Sequence, residues 1–213
     1  MQLSEPSVMA TDYILAAFGI FLLARLWPRL AGHKTRVLWL LALACGSVAA
    51  IAGGTMHGFQ LMLGETAAEA LWLATLLAMG GFSFFLLLSL AFSHLTDSWR
   101  TLLITIAVIK LAIYIGLTSI SREFLLVIGD YGVAMLVALG FHGASQLRGK
   151  RPGSAAISLG ILLTFVSSGV QISGFSLHQY FNNNDIFHVL QMGATYLFYR
   201  GALALTDRSA KSA

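Results

Sequence analysis

Residues 67–93 read AAEALWLATLLAMGGFSFFLLLSLAFS, an apolar run in which Glu69 is the single charged side chain. At about 1.5 Å of rise per residue, a helix over this run spans the roughly 30 Å hydrocarbon core of a bilayer. Six further runs of similar character lie at roughly 12–30, 37–56, 102–118, 124–146, 155–173 and 185–206. The fourth in chain order, 102–118, is short and contains Lys110. The 213 residues are 57% hydrophobic and 10% charged, against about 25% charged in a soluble domain. The expectation is an all-α, polytopic membrane protein: one seven-transmembrane-helix bundle occupying 1–213 as a single domain.

The loops carry the topology. Short loops rich in Lys and Arg stay on the cytoplasmic side. Arg25, Arg29, Lys34 and Arg36 follow the first helix, Arg100 the third, and Arg148, Lys150 and Arg151 the fifth, with Arg208 and Lys211 in the tail. Only Arg122 lies on the other face. This places the N-terminus outside and the C-terminus in the cytoplasm of a bacterial inner (plasma) membrane. It also accounts for the net charge of +4 without nucleic acid as a partner; membrane lipid is the expected surrounding. Residues 1–12 lack the basic start of a cleaved signal, so the first run is expected to be retained. Cys45 is the one cysteine and reads as a small buried hydrophobe. His33, His94 and His142 read as interfacial residues beside the basic loops.

The outer half holds the chemistry. His57 closes the second helix in GGTMHGF, where glycines permit close helix approach. Glu65 and Glu69 share one face of the third helix. Asp130 and Lys110 each lie about 10 Å from the outer end of their helices, a depth at which they would neutralise one another as an ion pair, with Glu69 as the other partner open to the lysine. The seventh helix offers Asn184, His188, Gln191 and Thr195 as a polar stripe with Asp185 beside it, behind a loop containing His178. The sixth offers Thr164, Ser168 and Gln171 at the same helical spacing. Two polar stripes imply a hydrated or ligand-filled cavity, or a polar seam between helices. Three readings compete for the set. His57, His188 and either Asp185 or His178 can bind zinc and activate a water; the same groups can form a proton or substrate pathway; or Asn184 or Asp185 caps the helix and the histidines bond at the interface.

This pattern of seven helices, an outside N-terminus, His57 at the end of helix two and His188 near the start of helix seven resembles the superfamily of alkaline ceramidases, adiponectin receptors and related membrane hydrolases. The resemblance implies zinc held by a helix-two histidine, matched by His57, and by an HxxxH pair on helix seven, matched at its second position by His188. Asn184 stands at the pair's first position, so Asp185 or His178 is the expected further ligand. Gly53 stands where ceramidases carry serine, and Glu65 or Glu69 is the nearest match to their aspartate on helix three. The function implied is a zinc-dependent hydrolase of lipid amide or ester bonds, or a degenerate relative of one, with Glu69 assisting proton transfer and the lipid substrate entering sideways from the membrane. Glu5 and Asp12 correspond to an acidic calcium-binding N-terminus in the ceramidases, but that ion wants six to eight oxygens. The alternative is a non-enzymatic receptor, small-solute transporter or assembly factor with a polar ligand-binding or packing seam.

Overall fold

The computed structural model describes residues 3–149 and 151–208; Lys150 and Lys211 of the basic loops lie outside them. Seven α-helices follow one another: α1 Pro6–Leu26, α2 Lys34–Phe59, α3 Glu65–His94, α4 Asp97–Ile120, α5 Phe124–Leu147, α6 Ser154–Ser173 and α7 Asn183–Ala204. Each expected apolar run has become one of them. α1 to α6 are long and apolar enough to cross a membrane by length and composition. α7 is the helix whose apolar character is diluted by its polar stripe.

The helix ends follow local chemistry. Pro6 occupies the first turn of α1, where its missing N–H costs nothing. α1 therefore begins before the apolar run that starts near residue 12. Ahead of it the backbone folds onto the end of α2, with Ser4 N donating to Gly58 O at 3.1 Å and Glu5 N to His57 O at 3.1 Å. These bonds satisfy carbonyls that the last turn of α2 would otherwise leave free. α6 stops at Gly174, whose φ of 68° is the left-handed turn glycine adopts without strain.

Six helices close a ring. α1 packs on α2 and α7, α2 on α3, α3 on α5, α5 on α6, and α6 on α7. Small residues set the closest approaches, as expected where lipid competes for apolar surface. A Cβ at Gly160 of α6 would lie 2.6 Å from Phe198 of α7, and one at Gly201 of α7 would lie 2.3 Å from Ile157 of α6. The buried centre includes Trp39, Phe82 and Phe198, the rings of Trp39 and Phe198 lying 5.3 Å apart. α4 stands outside this ring, mainly against α3. Its Tyr114 fills the space above Gly80 and donates to Leu76 O at 2.7 Å.

Asp207, just past α7, caps the opposite end of α2. Its carboxylate accepts Lys34 N at 2.9 Å, Thr35 N at 2.8 Å and Thr35 Oγ1 at 2.6 Å. Burial pushes this carboxyl up, but the three hydrogen bonds and nearby His33 outweigh it and hold the pKa below the ordinary value. Replacing Asp207 by Ala is expected to lower stability by about 1 kcal/mol, the usual worth of an N-cap, read as a lower unfolding midpoint in detergent. Because the folded value is the depressed one, the contribution is complete above the unfolded value of about 3.9 and is lost as pH falls through the folded one. Unfolding midpoints of wild type and variant should therefore converge in acid; a gap unchanged down to full protonation would contradict the capping role.

Candidate functional site

The start of α7 organises the site. Asn182 is its N-cap, the side chain accepting Asn184 N at 2.8 Å and Asp185 N at 3.3 Å, while Asp185 Oδ2 accepts Asn182 N at 2.8 Å. This reciprocal capping box fixes the first turn and places a carboxylate at the positive end of the helix. The N-cap is thus Asn182, with Asp185 as the reciprocal member of the box and Asn184 outside it. Asp185 is fully buried, and its other oxygen accepts Thr11 Oγ1 of α1 at 3.1 Å.

One turn on, His188 is clamped from both sides by α1. Thr11 Oγ1 lies 3.0 Å from its Nδ1, and Asp12 Oδ1 lies 3.1 Å from its Nε2. Thr11 has one proton to give, and the carbonyls of Ser7 and Val8, at 3.2 and 3.0 Å, compete for it with Asp185 and Nδ1. When it goes to an acceptor other than Nδ1, the Thr11 oxygen can accept from Nδ1–H. Asp12 Oδ2 is buried with no hydrogen-bond partner among the described residues. Room for Asp12 comes from α2: a Cβ at Gly54 would sit 2.8 Å from Asp12 Cβ, and one at Gly53 would sit 3.7 Å from Asp12 Oδ2. Gly53 therefore has an acid from α1 packed over it.

Asp12 and His188 border a cavity of about 270 Å³ lined by the six ring helices. Most of its wall is apolar, including Trp72, Phe82, Phe124, Tyr131, Phe187 and Phe198. The two polar stripes meet beside it as expected from their spacing. Gln171 Nε2 donates to Asn184 Oδ1 at 3.2 Å, Thr164 Oγ1 to Gln191 Oε1 at 3.3 Å, and Gln191 Nε2 to Ser167 Oγ at 2.9 Å. Ser168 and Thr195 also line it. At the end nearest the start of α1, Trp72 Nε1 donates to Arg122 O at 2.8 Å, tying the wall to the α4–α5 loop.

The expected zinc donors do not gather at one point. His57 and His188 line the same cavity, but His57 Nδ1 pairs with Glu5 and Asp185 sits behind His188, away from the wall. His178 lies in the α6–α7 loop, exposed, bridged through its backbone to Phe181, its Nδ1 accepting Tyr180 N at 3.2 Å. Glu65 and Glu69 are exposed on the first turns of α3, whereas the cavity wall on that helix begins at Trp72. Among the described residues no three His, Cys, Asp or Glu side chains are arranged to hold a metal ion, so these donors as they stand do not fit the three protein ligands of a catalytic zinc. The acid that does reach the histidine is Asp12, which spacing along one helix does not reveal; its signal was an acid inside the first apolar run opposite a Gly-Gly pair.

Two other polar groups resolve away from the cavity. Lys110 Nζ lies 2.5 Å from Asp130 Oδ1 and donates to Ser83 Oγ at 3.0 Å, while Ser83 Oγ donates to the other Asp130 oxygen. Asp130, not Glu69, is the lysine's partner, and the three residues rivet α4 to α3 and α5. At the far end of the bundle His94 and His142 are buried rather than interfacial, their rings 4.4 Å apart and edge to face. Ser93 and Ser154 bond their Nδ1 atoms at 2.8 and 3.2 Å.

No curated protein and no solved structure matches the chain. The family described as a family of unknown function (DUF6962) matches residues 7–207, nearly the whole of the bundle from the first turn of α1 to the Asp207 cap, and the chain belongs to it.

Proposed function

We propose that this protein binds a small, largely apolar molecule by a polar end in the cavity, as a receptor or small-solute transporter of the bacterial inner membrane. In this reading α7 is a seventh span, the N-terminus is outside and the C-terminus cytoplasmic. Arg25, Arg29, Lys34, Arg36, Arg100, Arg148, Arg151 and Arg208 flank the same ends of the helices, and their excess over Arg122 supports that orientation. The carrying observation is the cavity itself: aromatic and aliphatic walls with Asp12, His188, Gln171 and Asn184 among its few polar groups, the usual make-up of a small-molecule site.

The test is native mass spectrometry and metal analysis of the purified full chain. Ala50 is buried and lines the cavity, so Ala50→Phe fills it. A small molecule retained by wild type and lost from Ala50→Phe is the expected result. Equal retention by both would overturn the reading. Stoichiometric zinc that disappears in His188→Ala would replace it with the lipid-hydrolase reading.

A further inference from the structure

Asp12 is 4% exposed and lines the cavity, and its Oδ2 has no hydrogen-bond partner among the described residues. A buried carboxylate oxygen without a partner is costly, and a cation beside the carboxylate removes the cost. Among the described residues neither Lys nor Arg lines the cavity. The titratable groups nearest Asp12 are His188, with Asp185 behind it through Thr11, on α7, and His57, paired with Glu5, on α2. α3 contributes Trp72 and Thr75 to the same wall. Asp12 is thus the one carboxylate in the wall among the described residues.

The rest of the wall selects among cations. A metal ion wants several protein donors at once, and only one carboxylate oxygen is free here. An organic ammonium needs one carboxylate and the faces of aromatic rings, and the wall supplies Trp72, Phe82, Phe124, Tyr131, Phe187 and Phe198. We infer that the cavity takes a lipophilic organic cation, an amine or quaternary ammonium on an apolar body, with the charged nitrogen beside the Asp12 carboxylate and the body against the rings. The inference rests on the ligand-binding reading above and adds the charge of the ligand to it.

Benzyltrimethylammonium and neopentylbenzene share one shape, with carbon replacing nitrogen in the second, and both can be titrated against the full chain in a neutral detergent while the unfolding midpoint is followed. The ammonium should protect wild type saturably, and Asp12→Asn should weaken its apparent affinity by about tenfold or more. The neutral probe should act alike on both proteins. Phe187→Leu keeps bulk but removes a ring face, and should weaken the ammonium selectively, which keeps the test open if Asp12→Asn folds poorly. Equal protection by the two probes, unchanged by Asp12→Asn and by Phe187→Leu, would overturn the cation assignment and leave the cavity a neutral-ligand site. No protection by either probe, together with no molecule lost in Ala50→Phe, would sink the ligand-binding reading as well.

Discussion

Replacing Lys110 by Met should lower stability by about 3–5 kcal/mol, the cost of leaving one member of a buried ion pair without the other. The side chains of Lys110 and Asp130 are only 20% and 6% exposed, and what surrounds them on α4 and α5 is apolar: Ile106, Ile109, Ile113, Leu126 and Val133. With the ammonium gone, Asp130 keeps only the Ser83 hydroxyl. Adding Asp130→Asn should restore part of the loss, because an amide needs no counter-charge and still bonds Ser83. Chemical unfolding in mixed micelles measures all three variants. Strict additivity of the two substitutions would show that the groups do not act as a pair. The damage should centre on α4, the helix outside the ring, and spare ligand binding in the cavity until the bundle itself unfolds.

The second large effect is expected at Gly201→Leu. A Cβ there meets Ile157 Cδ1 at 2.3 Å and Cγ1 at 2.6 Å, and the carbonyl oxygen of Gly153 at 3.1 Å. Overpacking of this kind typically costs about 1–3 kcal/mol. The figure should fall at the upper end because Gly153, at φ 88°, is itself tight against Gly201 O, so neither backbone can yield alone. Ile157→Ala on the Gly201→Leu background should recover part of the loss by removing the side chain nearest the new Cβ. If Gly201→Leu unfolds at the wild-type midpoint, α6 and α7 are not held at this spacing. Because both helices wall the cavity, the same variant should also lose whatever the cavity retains.

Apolar runs made the helices legible, and depth counting put Lys110 level with Asp130, since both quantities follow from rise per residue, but it left Glu69 open as the lysine's partner. The stripes on α6 and α7 were legible for the same reason, because helical spacing fixes which side chains share a face. What spacing along one helix does not contain is which helices are neighbours. Asp12 meets His188 only because α1 packs against α7 across the ring, and no local pattern in either helix announces that. Asp185 was drawn away from the cavity by a capping box that begins at Asn182, and His178 by a turn closed on Phe181. Glu69 is exposed on the first turns of α3, ahead of the wall that begins at Trp72. His94 and His142 were judged by the basic loops next to them, while burial against Ser93, Ser154 and Phe141 decides their state.

The caps on α2 come from opposite ends of the sequence, and this sets an order of assembly. Ser4 and Glu5 can meet His57 and Gly58 as soon as the first hairpin has been made. The leading amides of α2 meet Asp207 only after five more helices have followed. A nascent chain stopped short of residue 207 would therefore hold a registered α1–α2 hairpin whose other end is still hydrated. Closure of the ring, and with it the final shape of the cavity, waits for α7 to pack against α1.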